Sequence, residues 1–130
     1  MSPSITIALA DDHTLLRKGL STLLQEIGFI VLFEANNGIE FIVRMQQCPQ
    51  PPDVVLMDIN MPEKNGYETT QWVTKHYPAV RVLALSMYDD EQAINRMMQS
   101  GAHGFLLKDS DPAVLQGAIE AVIDKGFYLP

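Results

Sequence analysis

A single doubly wound α/β domain, with five parallel strands and helices on both faces, is the fold that three features of this 130-residue chain predict. Its strand-length runs are apolar throughout rather than alternating, as expected of strands buried on both faces. Between them lie longer segments with apolar residues at helical spacing. Each boundary also has its own punctuation, a capping residue, a glycine or a proline.

The first strand is read in "SITIALA" (Ser4 to Ala10), followed by a helix from Thr14 to Ile27. Leu15, Leu16, Leu20, Leu23, Leu24 and Ile27 are expected to form its core face, and Gly28 its left-handed stop. "FIVLFEA" is the second strand, and "NNGIEFIVRMQQ" the second helix, capped by Asn36 or Asn37 and left at Pro49. "DVVLMD" (Asp53 to Asp58) is the third strand, and Tyr67 to Tyr77 the third helix, stopped before Pro78. "VRVLALS" ends at Ser86, and Asp89 or Asp90 caps a helix that runs to Ser100 against Gly101. "HGFLLK" is a short fifth strand. The last helix has Asp111 as its cap and Pro112 at its first position, where a missing N–H costs nothing.

Length and a 47% hydrophobic content suit one compact domain with its own core. A net charge of −7, from 9 basic against 16 acidic residues, argues against nucleic-acid contact by this segment. The single Cys48 can form no internal disulfide, which suits a reducing cytosol and a cytoplasmic protein. No run approaches the roughly 20 apolar residues of a membrane span, and no charged region precedes the first apolar stretch, so neither export nor membrane insertion is expected.

Ligands in doubly wound folds sit at the carboxyl ends of the strands. There the first strand delivers Asp11 and Asp12, the third Asp58, the fourth Ser86 and the fifth Lys108. Three crowded carboxylates repel unless a cation neutralises them, and an all-oxygen donor set favours Mg²⁺. Lys108 would offer a point charge to a phosphoryl oxygen, Ser86 a hydroxyl, and Asp58 a nucleophilic carboxylate. Either Asp11 or Asp12 could instead merely cap the first helix, although two adjacent acids exceed what a cap requires. His13, His76 and His103 are scattered and read as surface or packing residues rather than a shared metal site. Met61, Met97 and Met98 read as packing, and Asp89, Asp90 and Glu91 as a solvated helix start.

Over essentially its whole length the chain resembles the receiver domain of bacterial two-component response regulators, through "LADDH", "VVLMDINMP" with Gly66 downstream, "LALS" and "GFLLKD". "DDHTLLRKGL" and "GFLLKD" further resemble the NarL/FixJ subgroup, whose members usually carry a C-terminal helix-turn-helix that binds DNA. The resemblance implies the CheY-like, flavodoxin-like strand order 2-1-3-4-5, with a receiver over 1–125 and a linker beginning in 126–130. It makes Asp58 the phosphoacceptor, with Mg²⁺ held by Asp11, Asp12, Asp58 and the backbone carbonyl of Asn60. Ser86 and Lys108 would contact the phosphoryl group, and Phe105 would be the aromatic switch. The implied activity is acceptance and slow hydrolysis of a phosphoryl group rather than turnover of a separate substrate. The implied partners are a sensor histidine kinase, the helix-turn-helix output domain and, on phosphorylation, a second copy of the chain.

Phe105 lacks the hydroxyl of the tyrosine common at its position, and Asp109 stands where many relatives have proline, so a trans Lys108–Asp109 bond is expected. Met87 replaces a small residue and, with Asn60 and Tyr88, is expected to tune hydrolysis of the acyl phosphate. The end at "KGFYLP" reads as a piece of a longer transcription regulator, ahead of a stand-alone receiver acting through protein contacts. A phosphatase of the haloacid dehalogenase type would want an acid where Asn60 stands. A flavodoxin-like FMN binder would want phosphate-binding amides and hydroxyls where "ADDHT" puts two carboxylates.

Overall fold

In a computed structural model, residues 4–128 are described. The chain alternates β1 (Thr6–Ala10), α1 (Thr14–Ile27), β2 (Ile30–Ala35), α2 (Gly38–Gln47), β3 (Val54–Asp58), α3 (Gly66–His76), β4 (Arg81–Ser86), α4 (Glu91–Gln99), β5 (Gly104–Leu107) and α5 (Pro112–Asp124). The strands form one parallel sheet in the order β2-β1-β3-β4-β5. The predicted fold class and strand order are thus found.

Alternate residues of each central strand enter two separate cores, because successive side chains of a strand point to opposite faces. Ala8, Val55, Met57, Val82 and Ala84 pack with Phe41 and Met45 of α2, Val73 of α3 and Met97 of α4. Ile7, Leu9, Leu56, Leu83 and Leu85 pack with Leu24 of α1 and with Leu115, Ile119 and Val122 of α5. Three helices therefore cover one face and two the other. Met61, Met97 and Met98 all belong to or pack against the first core, as expected.

The strands begin one or two residues later than predicted. Ser4 and Ile5 lie outside β1 because pairing with β2 starts at Thr6, whose amide and hydroxyl both donate to Asp53 Oδ2. Asn37, not Asn36, caps α2 by accepting from the Glu40 amide at 2.9 Å, and Asp90, not Asp89, caps α4. Asp111 occupies the cap position of α5 but makes no side-chain cap bond. Neither Asp11 nor Asp12 is the cap of α1; that position is taken by His13.

The expected core face of α1 holds for Leu20, Leu23 and Leu24, which pack into the second core, and needs correction at its start. Leu15 is 88% exposed and Leu16 is exposed too, while Arg17 is only 5% exposed. The inward stripe is Arg17, Ser21 and Leu24, at spacings of four and three. Arg17 can lie inside because two of its guanidinium nitrogens are hydrogen-bonded and one of them is ion-paired. Nε donates to Glu34 Oε1 at 2.9 Å, and one terminal nitrogen donates to the Asp11 carbonyl at 2.7 Å and to Asn36 Oδ1 at 2.6 Å. A buried charge is tolerated when it is paired and hydrogen-bonded in this way.

Beyond α5 the chain turns at Gly126 and Tyr128 comes alongside β5, donating its amide to the His103 carbonyl at 2.8 Å and bridging to Gly104 in parallel. Gly104 is required there, since a Cβ would lie 2.6 Å from the Tyr128 carbonyl oxygen and 2.8 Å from Leu83 Cδ2. The expected linker start at 126–130 overlaps this segment, and its residues 129 and 130 lie outside the described ones.

Candidate functional site

The sheet's register brings the strand ends together. Asp58 closes β3 opposite Leu85, Asp11 and Asp12 follow β1, and Lys108 follows β5 with its amide donated to the Ser86 carbonyl at 2.8 Å. Asp11 and Asp58 are each only 2% exposed, whereas Asp12 faces solvent. Gly66 lets α3 start directly against β3, because any Cβ there would run into the Asp58 carbonyl.

Lys108 reaches into this acidic rim with a fully sheltered ammonium. Its Nζ lies 3.0 Å from Asp11 Oδ2, 3.1 Å from Asp11 Oδ1 and 3.2 Å from Asp58 Oδ2. The ammonium lies within ion-pair distance of Asp11 Oδ2 and Asp58 Oδ2, yet neither oxygen receives a hydrogen bond in suitable geometry. Asp58 Oδ1 accepts from the Asn60 amide at 3.3 Å. Burial, reinforced by the negative charge of Asp11 and opposed by Lys108, pushes the Asp58 carboxyl up to about 7.

Of the remaining predicted residues, Asn60 bonds Asp58 through its amide, and Ser86, Met87, Tyr88 and Phe105 make no hydrogen bond to it. The Ser86 hydroxyl donates to the Tyr88 carbonyl at 2.8 Å and accepts from the Tyr88 amide at 3.2 Å, so it is turned into its own loop. Met87 and Tyr88 are exposed, and Met87 lines a shallow cavity of about 410 Å³ with His13, Thr14, Leu15 and Leu16. Phe105 is buried and lines a smaller cavity with Asp89, Val114 and Tyr128. Asn60 is exposed at the lip. No cis peptide bond occurs among the described residues, so Lys108–Asp109 is trans, as expected.

His13 is the site residue that the sequence reading missed. It was grouped with His76 and His103 as a surface or packing residue, but its Nδ1 lies 2.8 Å from Lys108 Nζ and 3.1 Å from Asp11 Oδ1. Its amide also donates to Asp11 Oδ1 at 2.8 Å. Arg17 was missed as well, and it fixes the backbone of Asp11 from below. The adjacency of His13 to the acidic pair was the available signal. Arg17 is one of several polar residues of α1, and nothing local in the sequence distinguishes it.

Asp11, Asp12, His13 and Asp58 can each present a ligand atom within 4.8 Å of the others. Carboxylate oxygens, two of them buried without a hydrogen-bond donor, are what a hard divalent cation requires, so the residues fit such an ion.

Residues 7–120 match the family described as the response regulator receiver domain. Over 126 residues the chain is 39% identical to the transcriptional regulatory protein DegU of Brevibacillus brevis, covering 96% of this chain and 52% of that protein. It is 32% identical to the oxygen regulatory protein NreC of Staphylococcus carnosus, covering 95% and 57%. The chain thus spans little more than half the length of the curated relatives it matches. Among solved structures, a LuxR-family two-component response regulator from Aurantimonas sp. superposes with a TM-score of 0.87 at 31% identity, covering 98% of this chain and 90% of that one. The receiver domain of a NarL regulator from Mycobacterium tuberculosis gives 0.79 at 31%, covering 95% and 96%. No helix among the described residues is long and apolar enough to cross a membrane. The acidic rim closed by a lysine therefore sits in a chain that belongs to the response regulator receiver domain family.

Proposed function

We propose that this chain is the phosphoryl-accepting module of a cytoplasmic transcription regulator, with Asp58 as the acceptor and a sensor histidine kinase as the donor. The observation that carries the reading is the buried Asp58 carboxylate, set beside Asp11 and within 3.2 Å of the Lys108 ammonium. Asp58 attacks the phosphorus of a phosphohistidine in line. A P–O bond forms, the P–N bond breaks, and its electron pair leaves with the imidazole nitrogen. Lys108 neutralises charge on the phosphoryl oxygens, and burial keeps competing water away. Asp11, Asp12, Asp58 and the Asn60 carbonyl would hold Mg²⁺, which would supply further charge neutralisation.

The acyl phosphate then acts as a switch. To donate to the phosphoryl group the Ser86 hydroxyl must give up its bond to the Tyr88 carbonyl, which loosens the loop after β4, and Phe105 beside that loop adjusts with it. Residues 1–125 form the receiver, and 126–130 begin the connection to a C-terminal helix-turn-helix output domain. A transcription-regulating output is supported by relatives described as a transcriptional regulatory protein and a LuxR-family response regulator; the helix-turn-helix and the pairing of two copies on phosphorylation are further parts of the proposal. The chain performs its own phosphorylation and slow dephosphorylation but turns over no separate substrate.

Intact mass after incubation with acetyl phosphate and Mg²⁺ tests the acceptor. A gain of one phosphoryl group, lost in Asp58→Asn and without Mg²⁺, is the expected result. Absence of that gain with both acetyl phosphate and a cognate kinase would overturn the reading. Met87, in the β4–α4 loop, shares a cavity with the rim residue His13, so Met87→Ala should change the dephosphorylation rate severalfold; an unchanged lifetime removes its tuning role.

A further inference from the structure

We propose that His13 is a nitrogen ligand of the strand-end cation site, which makes it a mixed nitrogen–oxygen centre that binds borderline divalent ions such as Mn²⁺, Co²⁺ and Ni²⁺ more tightly than an all-oxygen site would. The inference rests on the reading of the acidic rim as a divalent cation site. Its starting point is the environment of the Lys108 ammonium. That cation has four donor atoms around it: both carboxylate oxygens of Asp11, Oδ2 of Asp58, and Nδ1 of His13, which is the closest at 2.8 Å. An ammonium has no lone pair to offer, so a hydrogen bond between them requires that Nδ1 present its lone pair and that the ring proton sit on Nε2. In the tautomer protonated on Nε2 the imidazole lone pair is aimed at a positive charge held between Asp11 and Asp58, while Asp11 Oδ1, 3.1 Å from the same Nδ1, keeps its bonds from the His13 amide and Lys108.

The backbone fixes this aim. His13 sits at the cap position of α1 with φ −80 and ψ 86, and its amide is tied to Asp11 Oδ1. Its ring consequently leans back over the strand ends, 3.8 Å from Asp12 Oδ1, instead of following the helix. Asp11 Oδ2 and Asp58 Oδ2 supply the independent sign of a missing ligand, being buried oxygens that accept no hydrogen bond. Imidazole adds little for Mg²⁺, which is hard and keeps its waters, but favours ions along the series from Mn²⁺ to Ni²⁺. An ion bound through His13 must also break the Lys108–His13 hydrogen bond. Mg²⁺ held by oxygen alone leaves that bond in place.

The test compares the whole chain with His13→Gln. Pulsed electron paramagnetic resonance on bound Mn²⁺ reads nitrogen coordination directly, and calorimetry gives Ni²⁺ and Mg²⁺ affinities. An Asp12→Asn, Asp58→Asn double variant subtracts ions held elsewhere, such as at His76 or His103. The expected result is a ¹⁴N coupling that His13→Gln abolishes, with Ni²⁺ affinity falling about tenfold and Mg²⁺ affinity changing less than twofold. Mg²⁺ and Mn²⁺ binding without ¹⁴N coupling, or an equal loss for both ions, would overturn the role of His13 while leaving the cation site standing. Failure of every ion to bind at the rim would overturn both readings.

Discussion

The Asp58 carboxyl illustrates how a single residue can be costly to the fold and necessary to the site. Its pKa is raised from 3.8 to about 7, so the folded protein keeps a proton that the unfolded chain has already lost. The favourable contribution of this group is full below 3.8 and disappears as pH rises through about 7. The metal-free protein should therefore melt at a lower temperature at pH 8 than at pH 5, and Asp58→Asn should flatten that slope. Mg²⁺ should raise the melting temperature more at pH 8 than at pH 5, because below the raised pKa it must displace a proton. Thermal melts at the two pH values, with and without Mg²⁺, check both statements. Asp11, Asp12, Asp58 and Lys108 were legible as strand-end residues because sequence alone locates strand ends. His13 was not, since its part depends on how far a ring leans across three elements.

Among the elements, helix starts separate position from interaction. The Asn37 side chain at the start of α2 accepts a hydrogen bond from the Glu40 amide, while the Asp111 side chain at the start of α5 makes no cap bond. Asn37→Ala should thus cost about 1 kcal/mol in chemical denaturation, and Asp111→Ala only a few tenths, the part due to the helix dipole. Equal losses would show that the capping bond itself is not what matters. Sequence identified both residues because cap preference is local, but whether a side chain bonds depends on backbone angles that no local pattern specifies. The core face of α1 failed for a related reason. Five of the six aliphatic residues share an arc of about 100° on the helix, but the buried face is rotated from it towards Arg17 and Ser21, because the deciding contact is Arg17 with Glu34 and Asn36, contributed by another part of the chain.

At the scale of the molecule, the number of strands and the layering followed from apolar runs, and their order from the family resemblance. The return of the chain along β5 could not be read, because a Phe-Tyr pair after a helix carries no periodic signal. Gly104→Val should force Tyr128 away and destabilise the protein by about 1–3 kcal/mol, the usual cost of overpacking. In a chain cut after Lys125 the same substitution should cost less, and a double-mutant cycle by urea unfolding measures the difference. If the two costs are equal, the clash with Leu83 rather than the tail dominates.

The position of Tyr128 also bears on how the protein avoids self-association. An outer strand with free amides and carbonyls is a template on which another chain can add. Tyr128 shields the outer side of β5 where it bridges Gly104, whereas β2, at the other end of the sheet, has no neighbour beyond it among the described residues and exposes Ile30 and Leu32. What breaks the regularity there is the shift of register between Ile7 and Ala8, an irregularity of the kind that bends a border strand out of line for incoming chains. A receiver trimmed at α5 would uncover the outer side of β5, and aggregation would then start from that side of the sheet.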